Sequence, residues 1–289
     1  MKLQNFMRQR PLFSFFFMAY TFSWIILIPY ILSQWNVLPD TKYFQIFFIL
    51  NAFVGPALSA YIMGRVTEGK DGWINIKKRF CTFKVGWLWY AFVLLGIPLV
   101  MMFGISILPG ALPSFQGFST SFPVTYIIYF VIIFFGGGPL GEEIGWRGFA
   151  LPRMQARYGA LRATFLLGIL WTFWHMPHFL TTAQRGGPGS SLSILYVNLP
   201  IFLLLVMSIT VIMTWVFNHT KGSLFIAMLL HASINTFSLI LALFSAPIVT
   251  STDLPVAIGL GILSIAILIF TRGNLGYKPD QEQLKFDVK

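Results

Sequence analysis

Glu142 and Glu143 stand side by side and are the only acidic residues between Asp71 and Asp253, in sequence that is otherwise almost entirely apolar or basic. An ionisable side chain at membrane depth costs roughly 2.5 to 3.5 kcal/mol on insertion scales, so an adjacent pair points to chemistry. Four more residues stand out in apolar surroundings: His175 and His178 in WTFWHMPHF, and His231 and Asn235 in LLHASINTF. A carboxylate and an imidazole facing one water make a general-base pair. An imidazole and a carboxamide on a neighbouring helix supply donors for an oxyanion, the largest contribution in many acyl transfers. The chain has no Ser or Cys with an obvious activating partner and no H-E-x-x-H, so water is the attacking group and the chemistry is hydrolysis.

Spacing divides the work. Glu143 and Arg147 are four apart, share one helix face and can pair. Glu142 is turned about 100° from Glu143, at 3.6 residues per turn, and is left available. His231 and Asn235 are also four apart and project from one face. Glu142 and His175 are equidistant from a turn at Tyr158 and Gly159, so an antiparallel hairpin sets them at one level. His178, a turn further on and just after Pro177, is expected to pack rather than react, and His219 is expected in a solvated connection. Glu142, His175 and His231 also offer three ligands and an open position for zinc. The metal-free arrangement is favoured, with zinc or another divalent cation as the alternative.

The elements that carry these residues follow from composition. The 289 residues are 56% hydrophobic and 10% charged, with a mean hydropathy of +0.75. Soluble domains carry about 25% charged residues, so the fold class is an all-α polytopic membrane protein. About eight spans are expected: 12–32, 43–63, 85–108, 124–157, 160–180, 194–217, 224–244 and 255–271. The run Gly136, Gly137, Gly138 and Pro139 interrupts the fourth, and such breakers are tolerated at membrane depth where they line a cavity. Eighteen of the twenty Lys and Arg fall in alternate connections, which puts both termini and the Lys77 cluster on the cytoplasmic side. Those cations account for the net charge of +11 without any nucleic-acid partner; the partners expected are the lipid bilayer and a membrane-associated peptide or protein substrate. The single cysteine, Cys81, excludes an intrachain disulfide. Residues 1–271 read as one transmembrane helical domain, and 272–289 as a polar, frayed cytoplasmic tail.

The site residues resemble the three motifs of the CAAX protease and bacteriocin-processing family of intramembrane endopeptidases, which includes the eukaryotic type II CAAX prenyl endopeptidase. The family pattern E-E-x-x-x-R, F-x-x-x-H and H-x-x-x-N/D appears here as Glu142-Glu143-x-x-x-Arg147, Trp171-x-x-x-His175 and His231-x-x-x-Asn235. Trp171 departs from the family's Phe but keeps an aromatic ring one turn from His175. The likeness covers about 139–237, with a family-like core at about 124–246. It implies an eight-span enzyme in the cell membrane, with a cavity opening to the cytosol, that cleaves peptide bonds near the membrane surface. By that likeness Glu142 and His175 activate the water, His231 and Asn235 hold the oxyanion, and Glu143, Arg147 and Trp171 support them. A zinc-dependent version of the same hydrolase is one alternative. A proton-coupled transporter or a non-catalytic bacteriocin-immunity protein is the other, and the absence of a visible inverted repeat argues against the transporter.

Overall fold

Backbone N–H and C=O groups find no partner in lipid, so long apolar segments cross a membrane only as helices or closed barrels. Here they are helices. The structure, a computed structural model, describes residues 2–39, 41–136, 138–190 and 194–279. Gly137 of the expected break and residues 280–289 of the expected tail lie outside the described residues.

A short helix α1 (Lys2–Gln9) leads through Pro11 into α2 (Pro11–Gln34). The second span is α3 (Thr41–Ala52) and α4 (Leu58–Glu68), joined by a π-helical turn over Phe53–Ala57 that contains Pro56. Proline lacks the N–H that an α-helical turn needs, and a wider turn is one way the chain continues past it. Between spans, α5 (Lys70–Phe80) is a helix where a polar connection was expected; Ile76 is buried, and Lys77 lies 5.9 Å from the Trp73 ring centre. The third span is α6 (Trp87–Ala91) and α7 (Ile97–Ser106) around a second π-turn, Phe92–Gly96. The fourth is broken into α8 (Phe122–Gly136), α9 (Pro139–Gly145) and α10 (Leu151–Tyr158), with a π-turn over Trp146–Ala150. Then follow α11 (Ala160–Trp174), α12 (Leu199–His219) and α13 (Leu224–Thr236). Two one-turn helices, Ser238–Leu241 and Pro247–Thr250, precede α14 (Leu254–Thr271).

Among the described residues, seven helical segments are long and apolar enough to cross a membrane: Pro11–Gln34, Tyr43–Glu68, Trp87–Ser106, Phe122–Tyr158, Ile194–His219, Leu224–Leu241 and Leu254–Thr271. The chain is an all-α, multi-pass membrane protein. The segment read as a fifth span is the 15-residue α11 followed by a 3₁₀ turn, Met176–Leu180. Pro177 cannot donate to the carbonyl of Phe173, so the α-helix ends before it, short of the roughly 20 residues that span a bilayer.

The centre of the bundle is α12 and α13, most of whose residues are buried. Helix α8 lies at the periphery, with Ile128, Ile132 and Phe135 more than half exposed and available to lipid. Helix α13 packs against α7, α8, α9 and α12, and α9 packs on the π-turn of the second span. That last contact is backbone against backbone. A Cβ at Gly141 would fall 2.8 Å from the carbonyl carbon of Ala52, and one at Gly145 would fall 2.5 Å from Cβ of Pro56. At the other end of α13, Ser223 caps the helix by accepting from the Ile226 N–H at 3.2 Å. The start of the polar tail is packed rather than frayed: Leu275 is fully buried, and Nδ2 of Asn218 donates to its carbonyl at 3.0 Å. A single apolar residue in a polar run has no periodicity to announce such docking.

Candidate active site

Gly138 sits at φ 106°, a conformation that glycine adopts without strain, and it turns the chain from α8 into α9. The absence of a side chain there has a second consequence. A Cβ on Gly138 would lie 2.5 Å from Oε1 of Glu142, so glycine is what leaves room for that carboxylate. Glu142 is 5% exposed, and its other oxygen, Oε2, accepts two indole N–H groups, from Trp171 at 2.6 Å and Trp146 at 3.2 Å. Both side-chain bonds fall on one oxygen, so Oε1 is left for a water or substrate.

Glu143 points elsewhere. It is fully buried and bonded to the equally buried Arg147 at 3.0 Å, the pairing that four-residue spacing predicts. Its Oε1 also lies 2.8 Å from Nδ1 of His231. The Arg147 guanidinium sits 4.3 Å from the Trp171 ring centre, within cation–π range. Through these contacts one buried carboxylate ties α9 to α11 and α13.

The two imidazoles are held alike. Nδ1 of His175 lies 2.8 Å from the carbonyl of Trp171, and Nδ1 of His231 lies 2.8 Å from the Glu143 carboxylate. Both partners accept only, so each Nδ1 carries a proton. A neutral ring then presents the lone pair of Nε2, and only a doubly protonated ring donates from both nitrogens.

Glu142, His175, His231 and Asn235 line one cavity of about 190 Å³, together with Trp174, His178 and Asn51. Glu143, Arg147 and Trp171 lie behind its wall, as the contacts above describe. His178, expected to pack, does lie against Phe48 with ring centres 5.1 Å apart and the rings tilted, but it also lines the cavity. The 3₁₀ turn explains this: three residues per turn bring position i+3 back over i, and His178 lies beside His175 with ring centres 5.2 Å apart. His219 is exposed as expected, but it is the last residue of α12 rather than part of the connection. Sequence reasoning missed the indoles of Trp146 and Trp171 as donors to Glu142. The available signal was Trp146 four residues after Glu142 on the same helix face.

Among the described residues no three His, Cys, Asp or Glu side chains come together as a metal-holding group. The hydrogen bonds leave Oε1 of Glu142 and Nε2 of both imidazoles open, and an Nδ1 held by a protein acceptor is compatible with ligation through Nε2, so only the placement of the side chains speaks to zinc.

Trp171 allows a direct test of the indole bonds. Phenylalanine at this position keeps a ring near His175, now 5.9 Å away, but lacks the N–H. Trp171→Phe is expected to fold and to lower unfolding stability by about 1.5 to 3 kcal/mol, the usual worth of a hydrogen bond to a charged group. Chemical unfolding in mixed micelles measures it, and unchanged stability would mean that the bond contributes nothing.

Two comparisons with known proteins bear on this site. Residues 123–237 match the family model described as type II CAAX prenyl endopeptidase Rce1-like. The chain is also similar to CAAX prenyl protease 2 of Methanococcus maripaludis, 32% identical over 160 residues. That similarity covers 53% of this chain and 54% of the relative, so the chain spans about half the length of the protein it matches. The family match contains every residue from Gly138 to Asn235 that forms the carboxylate and imidazole network.

Proposed function

We propose that the protein is an intramembrane endopeptidase, a reading supported by the match of residues 123–237 to the type II CAAX prenyl endopeptidase Rce1-like family model. It hydrolyses peptide bonds of membrane-associated or lipidated peptides with a water activated by protein side chains. One observation carries the reading above the others: Glu142, held through Oε2 alone, shares a cavity with His175, His231 and Asn235.

In this mechanism Oε1 of Glu142 takes a proton from water while Nε2 of His175 accepts a hydrogen bond that orients it. The water oxygen attacks the scissile carbonyl carbon. The developing oxyanion receives hydrogen bonds from the Asn235 amide and from His231, which must carry both ring protons to donate; Glu143 supplies the counter-charge for that form. Glu142 then passes its proton to the leaving amine as the C–N bond breaks. Arg147 and Trp171 position Glu143 and Glu142 respectively. We assign the whole of 1–271 to one membrane domain in the cell membrane, with core 124–246, and the tail 272–289 and the cavity mouth to the cytoplasm, following the charge bias of the connections.

The name of the archaeal relative directs the substrate test to prenylated C-terminal peptides. Purified protein in lipid nanodiscs is expected to cleave a prenylated, fluorogenic peptide faster than its unprenylated twin. Cleavage of neither would overturn the reading; equal cleavage of both would keep the peptidase and reject lipid recognition. For metal dependence, dialysis against a strong chelator is expected to leave activity intact, with elemental analysis finding no stoichiometric metal. Activity lost on chelation and restored by zinc would replace the side-chain mechanism with a metal-dependent one.

A further inference from the structure

Two residues that line the cavity each carry a buried polar atom with no hydrogen-bond partner among the described residues: Asn51 its Oδ1 and Trp174 its Nε1. The two residues are 2% and 1% exposed. A buried acceptor or donor left unpaired carries its full desolvation cost, so such groups are normally satisfied by protein, water or ligand. One of these is an acceptor and the other a donor, the pair that a peptide group complements with its N–H and its C=O.

The rest of each residue is firmly placed. Nδ2 of Asn51 donates to the carbonyl of Phe48, and the Asn51 carbonyl accepts from Oγ of Ser23 at 2.7 Å. Asn51 lies in the last turn of α3, just before the π-turn 53–57, a helix distortion found often at functional sites. The next residue, Ala52, is the one whose backbone meets Gly141, immediately before Glu142. This close packing fixes Asn51 relative to the carboxylate. Trp174 is wedged between Trp146 and His175, with ring centres 5.7 and 4.7 Å away, and Nε1 of Trp24 donates to its carbonyl at 3.0 Å. An asparagine within the apolar run FFILNAFVG is itself costly at membrane depth.

We infer that Asn51 and Trp174 form a backbone-binding subsite for the peptide substrate. Asn51 Oδ1 accepts one substrate amide N–H, and Trp174 Nε1 donates to one substrate carbonyl beside the scissile bond. Asn51 lies outside residues 123–237, so substrate register is set by a helix that the family match does not include. The inference rests on the peptidase reading above.

A scan of N-methylated peptides tests it. Wild type is expected to lose about tenfold in kcat/KM when one particular amide is methylated, in line with one lost hydrogen bond and an unpaired acceptor. In Asn51→Ala the same methylation is expected to cost less than about twofold, because the acceptor is already gone. Trp174→Phe, which keeps the packed ring, is expected to raise KM about tenfold with kcat little changed. Equal methylation penalties in wild type and Asn51→Ala would overturn the subsite while leaving the peptidase intact. A wild-type enzyme that cleaves no peptide would overturn both. Should Asn51→Ala fail to fold, Trp174→Phe decides alone: an unchanged KM rejects the subsite.

Discussion

Glu142→Gln is expected to abolish hydrolysis while the protein folds as before. The amide is nearly isosteric with the carboxylate, and its carbonyl oxygen can accept the same Trp171 and Trp146 indole N–H groups that Oε2 accepts now. What it cannot do is take a proton from water. General-base catalysis contributes typically about 10² to 10⁴ in rate, so kcat is expected to fall by at least that factor with KM little changed. The comparison with Trp171→Phe makes the result specific. That variant loses a bond to the carboxylate and is expected to lose stability; Glu142→Gln keeps the bonds and is expected to lose turnover. Single-turnover assays on purified protein, with unfolding measured in parallel, separate the two. Wild-type kcat in Glu142→Gln would remove Glu142 from the chemistry.

How much of this was legible in the sequence depends on how local each feature is. The Glu143–Arg147 pair follows from helical spacing, and the break before Glu142 follows from Gly138 and Pro139, because both are properties of neighbouring residues. The sharing of one cavity by Glu142 and His175 followed from counting outward from a turn. Contacts between distant helices had no such signature. His231 reaches Glu143 across 88 positions, and Trp171 reaches Glu142 across 29. Periodicity names the face that His231 and Asn235 share but not the carboxylate that meets it. Trp171 was readable as a ring beside His175 and not as a donor, since the N–H finds its acceptor only when α9 and α11 pack. Pro177 shortens α11 and swings His178 into the cavity, so a helical count along a full span misjudged its level. Asn51 was hidden by an apolar run whose composition announces a span and nothing else.

Arg147→Met is expected to be among the most destabilising changes in the protein, and its partner change separates folding from catalysis. Arg147 and Glu143 are both fully buried and joined at 3.0 Å. Removing one charge of a buried pair leaves the other uncompensated, which costs about 3 to 5 kcal/mol. Loss of the guanidinium over the Trp171 ring adds to this. Replacing both charges is a different experiment, because apolar side chains of similar volume are often neutral or better where a buried pair stood. Arg147→Met with Glu143→Leu is therefore expected to recover much of the stability lost by Arg147→Met alone. Recovery stays incomplete because Nδ1 of His231 loses its acceptor, leaving a buried donor that costs about 1 to 3 kcal/mol. Turnover is not expected to return, since the imidazole loses both its orientation and its counter-charge. Unfolding midpoints in mixed micelles and kcat on the same preparations give the two readings. A double variant with wild-type kcat would show that Glu143 does not position His231, and a stable Arg147→Met would show that the pair is worth little to the fold.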